Sequence, residues 1–153
     1  MTNEALQNLI IKWIPELEFT EENSQFLNVM VQQEQLHQLM TQLKSDPETS
    51  FDYLFCLSGV DWETELGVIY HLESTIHRHI IVVKVKTEDR QNPNFDTVCD
   101  IWRTAEFHER EVFDFFGIKF NNHPHLRRLF LTEEWEGYPL RKDYVDEINM
   151  VIK

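Results

Sequence analysis

The chain has 153 residues, ordinary apolar content, four glycines and a formal net charge of −13 at neutral pH. That charge excludes nucleic acid as a partner, since phosphate binding relies on Lys and Arg, and it opposes adsorption to an anionic membrane surface. The length fits a single domain over 1–153 with a real core, and the scarcity of glycine excludes fibrous or low-complexity structure.

In chain order, Thr2 is placed to cap a first helix with Leu6, Leu9, Ile10 and Trp13 on its apolar face, stopped by Pro15. Phe26–Val31 reads as a strand, able to pair with Leu17–Thr20 across a polar turn. Gln33–Leu43 is an amphipathic helix with Leu36, Leu39, Met40 and Leu43 on one side, broken at Asp46-Pro47. Phe51–Val60 is apolar and aromatic, and periodicity leaves it open between a helical turn and a strand. Gly67–Leu72 and Ile80–Val85 alternate, and the polar turn around Ser74–His77 joins them as an antiparallel hairpin.

A polar connection through Pro93 leads to a helix that Asp96 is placed to cap. Val98, Ile101, Trp102, Ala105, Val112, Phe113 and Phe116 follow at helical spacing, and Gly117 ends it. Glu106 and Asp114 each stand four residues from Arg110, at pairing distance on a helix. Beyond Gly117 the period fails, and Asn121–Tyr144 carries Pro124, Gly137 and Pro139 among short apolar bursts. An irregular segment of that length, with Leu126, Leu129, Phe130, Leu131 and Trp135 in it, calls for something to cover it. Residues 145–153 either pair or fray. The predicted class is α+β, with helices packed on one face of a mixed, mainly antiparallel sheet, followed by a helix and an irregular extended C-terminal segment.

Residues 106–144 hold six Lys and Arg against eight Asp and Glu, so this stretch is at −2 and the remainder at −11. A near-neutral, mixed-charge stretch in an acidic chain suits a protein–protein contact. No apolar run approaches the length of a membrane span, and no signal peptide is expected. Cys56 and Cys99 read as small core residues; two thiols are too few for an iron–sulfur cluster. The sequence lacks a Rossmann glycine pattern, a nucleophile elbow and a glycine-rich phosphate loop ahead of Arg127 and Arg128. His108, Glu111, His123 and His125 are candidate metal ligands by type, but their spacing fits no established site. Surface imidazoles and turn chemistry explain them better, so no catalytic, cofactor or metal residue is predicted. Glu109 and Glu111, two apart on a helix, diverge too far to share a proton. One of them is expected to pair with Arg127, Arg128 or Arg141.

The strings EREVFDFFGIKF, HPHLRRLF and WEGYPLRKDY resemble the signature of the complex I 30-kDa (C-type) subunit family of proton-pumping NADH:quinone oxidoreductases. The matching positions are Glu109, Arg110, Glu111, Asp114, Gly117, Ile118, His123, Pro124, Leu126, Arg127, Arg128, Gly137, Pro139, Leu140, Arg141, Lys142 and Asp143. A weaker likeness runs upstream through FDYLFCLSGVDW and VIYHL. The resemblance implies a cofactor-free, non-catalytic subunit of the hydrophilic arm of complex I. That arm would lie peripherally on the cytoplasmic side of a bacterial plasma membrane. FMN and iron–sulfur clusters would be carried by other subunits, with NADH and a quinone as substrates. It also implies docking of the 121–144 segment to the 49-kDa (D-type) subunit, near the B-type and I-type subunits. Trp135, Leu129 and Phe130 would be apolar anchors there, and Arg127, Arg128, Arg141 and Lys142 fixing charges. Related hydrogenases and ferredoxin- or reduced-deazaflavin-linked dehydrogenases could house the same subunit. A free-standing small metal protein is the remaining alternative.

Overall fold

Alternation of apolar residues builds the sheet, and the register shows how. In the computed structural model, which describes residues 2–21, 23–128, 130–131 and 135–143, five strands pair in the order β1-β2-β5-β4-β3. They are β1 (Glu18–Thr20), β2 (Leu27–Val31), β3 (Tyr53–Asp61), β4 (Leu66–Ser74) and β5 (His79–Thr87). β2 and β5 run parallel and the other pairs antiparallel, so the sheet is mixed as expected. Period-two alternation puts every second side chain on one face. Leu27, Ile81, Leu72 and Leu54 form one row across the strands, and Val29, Val83, Tyr70 and Leu57 the next. A third row runs Val31, Val85, Val68 and Gly59. Phe51–Val60 resolves as a strand, with a register shift between Leu54 and Cys56.

The helices cover that face. α1 (Asn3–Trp13) buries Leu6 and Ile10, and Thr2 caps it by accepting a hydrogen bond from the Ala5 amide at 3.1 Å. A 3-10 turn (Gln33–Gln35) leads into α2 (Leu36–Ser45), which buries Leu36, Leu39, Met40 and Leu43. These residues join the three rows in one buried cluster, while Val82, on the opposite sheet face, lies outside it. Burying each such side chain stabilises by about 1.5–3 kcal/mol, so this cluster supplies the main driving force.

The signature helix starts later than its apolar spacing predicts. α3 spans Ala105–Phe116, and Val98–Thr104 are turns. Asp96 does not cap it, because Asp96 ends a short strand, β6 (Asn94–Asp96). β6 pairs in parallel with β7 (Lys119–Asn121), the chain leaving α3, and Phe95 sits opposite Phe120. Both phenylalanines are buried, and so are Val98, Ile101 and Trp102. Burial rather than helical periodicity sets their spacing. The Trp102 indole N–H donates to the Phe51 carbonyl at 3.0 Å and the Thr104 hydroxyl to that of Leu54 at 3.1 Å, tying the turns to the start of β3 and the residues before it.

Gly117 ends α3 in the left-handed conformation (φ 73°). A side chain there would also meet the Tyr138 ring at 2.5 Å. Gly59, in the third row, leaves room for Phe116: a Cβ would lie 2.5 Å from that ring.

Candidate docking segment and the polar groups that hold it

The chain after β7 returns along α3, and side chains of α3 fix it. Asp114 is buried, and one of its oxygens accepts hydrogen bonds from the Phe130 and Leu131 amides at 2.7 and 3.0 Å. The Arg128 guanidinium stands 3.7 Å from its other oxygen. The buried carboxylate of α3 that faces an arginine of the returning segment is therefore Asp114, not Glu109 or Glu111 as expected. Helical geometry explains this. Asp114 lies on the buried side with Val112 and Ala105, whereas Glu111 points to solvent.

Arg128 also donates to the Gly137 carbonyl at 2.9 Å and lies 4.9 Å from the Tyr138 ring centre. Arg141 lies 5.3 Å from the same ring, so two cations flank Tyr138, an arrangement that favours the ring's negative face. Arg141 donates to the Phe116 carbonyl and, at 2.9 Å, to that of Arg90, while the Leu140 amide donates to the Phe115 carbonyl at 3.0 Å. Residues 140 and 141 thus satisfy the open carbonyls at the end of α3, and a cation there complements the helix dipole. The Lys142 amide donates to Asp61 at 2.8 Å, and Asp143 accepts from Arg90 at 3.2 Å.

Glu109 has a separate task. It is fully buried and reaches back from α3 to accept hydrogen bonds from the Thr97 hydroxyl and, at 3.0 Å, the Val98 amide. Burial pushes its carboxyl up to about 7; those two donors oppose the rise, and the Asp100 charge adds to it. His123 stands 3.9 Å away with its side chain buried, so it is not the surface imidazole the sequence suggests. Its Nδ1 accepts from the His125 amide at 3.0 Å, which leaves Nε2 protonated to donate to the Glu106 carbonyl at 3.0 Å. Cys99 completes a trio whose ligand-type atoms lie within 4.8 Å of one another. Both imidazole nitrogens are already committed, and burial pushes the Cys99 thiol up, away from the thiolate a metal needs. The trio is therefore satisfied by hydrogen bonds. His108, Glu111 and His125 do not enter it.

Four apolar residues of this region face outward. Phe130 is 64% exposed, Phe107 59%, Leu140 56% and Trp135 39%. Phe130 stacks on Phe115 at 5.8 Å between ring centres. Arg127 is exposed; its carbonyl accepts from Arg110 at 3.3 Å, and Arg110 lies 5.8 Å from the Phe107 ring. Arg110 thus turns to the returning segment, where i to i+4 spacing suggested Glu106 and Asp114. Pro124 is exposed and begins the return, Leu126 packs against the core, and Pro139 follows the Tyr138 that covers Gly117. Lys142 reaches Glu63 at 3.5 Å in an exposed pair. Leu129 and residues 144–153 lie outside the described residues. Sequence reasoning missed Asp61, Arg90, Thr97 and Tyr138. The one available signal is Asp61 itself, an acid closing the otherwise apolar run FCLSGVD.

Comparison with known proteins gives the family. The family described as the respiratory-chain NADH dehydrogenase 30 Kd subunit matches residues 29–148. A Phocaeicola vulgatus protein named as the C/D subunit of NADH-quinone oxidoreductase is 50% identical over 117 residues, covering 76% of this chain and 22% of that protein. The C-type subunit of NADH-quinone oxidoreductase from Chloroherpeton thalassium is 44% identical over 72% of this chain and 47% of its own length. The chain therefore spans about a fifth to a half of these relatives. Among solved structures, a chain from the membrane-bound sulfane sulfur reductase, an archaeal respiratory membrane complex, superposes with a TM-score of 0.79 at 27% identity. That match covers 95% of this chain and 86% of the other. The chain belongs to the 30-kDa subunit family of respiratory-chain NADH dehydrogenases, which includes the C-type subunit of NADH-quinone oxidoreductase.

Proposed function

We propose that this chain is a non-catalytic docking subunit in the hydrophilic arm of a proton-pumping NADH:quinone oxidoreductase. The arm would lie on the cytoplasmic side of a bacterial plasma membrane. Electrons would pass from NADH through FMN and iron–sulfur centres to a quinone, all held by other subunits. This chain's contribution is shape. Its 121–144 segment would seat the 49-kDa (D-type) subunit, close to the B-type and I-type subunits. The observation that carries this is the division of labour in the segment. Arg128 and Arg141 turn inward onto backbone carbonyls, while Phe130, Trp135 and Leu140 of the segment, with Phe107 of α3, stand exposed. Exposed aromatic anchors amid near-neutral charge are what protein interfaces rely on. The relative named for both C and D supports the choice of partner, since one polypeptide keeps the two units at high effective concentration.

A second reading keeps the subunit and changes the machine, placing it in a related complex that does not oxidise NADH. The likeness to a chain of a sulfane sulfur reductase complex favours keeping it. A tagged chain, recovered with gentle detergent from native membranes, separates the two. The 49-kDa subunit, the iron–sulfur subunits and an NADH-oxidising flavoprotein together support the first reading. The core partners without that flavoprotein support the second, and recovery of the chain alone contradicts both.

A further inference from the structure

We infer that Asp61, which lies in the weaker upstream string, and Arg90, which lies in none of the strings, are positioning residues that clamp the far end of the docking segment. This rests on the docking reading above. Asp61 closes β3, and its side chain is only 2% exposed. Four donors converge on it: both Arg90 terminal nitrogens and the amides of Glu63 and Lys142, each at 2.8 Å. That fills the acceptor capacity of an ionised carboxylate. The paired, parallel bonds from Arg90 are the strong, directional form of the carboxylate–guanidinium contact. The Arg90 fork holds the Asp61 carboxyl well below the usual carboxylate range.

Arg90 holds the segment from both of its ends. Its guanidinium reaches Asp143 at 3.2 Å, and its carbonyl accepts from Arg141 at 2.9 Å. The β3–β4 turn closes through backbone bonds, Trp62 amide to Glu65 carbonyl and Thr64 amide to Trp62 carbonyl, and of the four donors on Asp61 only the Glu63 amide belongs to it. Asp61 and Lys142 are 81 positions apart. The clamp therefore joins the sheet edge to the segment end, and Leu140 and Trp135 are presented between that point and the Asp114 anchor.

The test uses the full chain, alone and co-expressed with the tagged 49-kDa subunit of the same organism. Hydrogen exchange is read at residues 138–143 and in β4 and β5, together with recovery of the chain on the 49-kDa subunit. Asp61→Asn is expected to raise exchange at 138–143 at least tenfold, leave β4 and β5 unchanged, and lower recovery several-fold. Arg90→Gln should do the same without altering the sheet edge, so it reports on the clamp if Asp61→Asn loosens the sheet. Arg90→Lys, which keeps the charge and loses the fork, should fall between. Unchanged exchange at 138–143 in both Asp61→Asn and Arg90→Gln overturns the clamp, whatever the recovery. Raised exchange with undiminished recovery upholds the clamp and contradicts docking through this segment.

Discussion

In the sheet, three rows of mostly aliphatic and aromatic side chains join α1 and α2 in one buried cluster, and Phe116 of α3 meets the third row at Gly59. In the segment beyond β7, the fixing contacts are polar. Asp114 holds the Phe130 and Leu131 amides, Arg128 the Gly137 carbonyl, Arg141 the Phe116 carbonyl and Asp61 the Lys142 amide. One region is held by what it buries, while the other is held mainly by hydrogen bonds and leaves Phe130, Trp135 and Leu140 exposed. A surface meant for a partner has to solve this problem, because apolar side chains reserved for an interface cannot also stabilise the free chain. Directional bonds from charged side chains supply rigidity without using the anchors.

Substitutions can break that contrast in graded steps. The largest effect belongs to the sheet. Leu72→Ala, which empties a fully buried site, should cost about 2–5 kcal/mol and lower the unfolding midpoint of the whole chain. Asp114→Ala, which leaves the Arg128 charge and two amides without their partner, should cost on the order of 3 kcal/mol. Hydrogen exchange should show the loss concentrated at residues 128–131 rather than in β4 and β5. An even loss across the sheet would mean the two regions are not distinct.

Glu109 sharpens the contrast through pH. Its folded carboxyl is raised from 4.5 to about 7, so the uncharged form suits the folded state. Its contribution to stability is fully present below about pH 4.5 and is lost as pH rises through 7, a change on the order of 3 kcal/mol. Glu109→Gln should flatten the denaturant midpoint between about pH 5 and 8 while the parent chain declines. A parallel decline in both would assign the slope to other groups.

Gly117→Ala should cost about 1–2 kcal/mol, because the left-handed conformation disfavours a side chain and the added Cβ meets Tyr138. Loss of Tyr138 protection in hydrogen exchange would place the damage in the segment.

The sheet was legible because period two is a simple signal. Val68, Tyr70 and Leu72 in β4 and Ile81, Val83 and Val85 in β5 show it plainly, and the hairpin between them follows. The parallel β2–β5 pairing left no local trace, since a crossover partner is chosen by the packing of α2 and the hairpin. Val98, Ile101 and Trp102 misled for a physical reason: three buried residues in successive turns mimic helical spacing. The segment was recognisable by its motif strings, but the roles within it were not. Which acid meets an arginine depends on the helix face, and that put Asp114 inward and Glu111 outward. Asp61 and Arg90 act across long sequence separations that no spacing rule reports.

The outward aromatic residues serve a partner rather than the fold, and this is the point to test first. The most direct measurement compares the parent chain with the Phe130→Ala/Trp135→Ala double variant, in thermal unfolding and in recovery on the 49-kDa subunit. The prediction is a stability change within about 0.5 kcal/mol, as for exposed positions, with recovery reduced about thirtyfold or more, as for interface anchors. A variant that loses several kcal/mol of stability, or that binds the 49-kDa subunit as the parent does, would contradict that assignment.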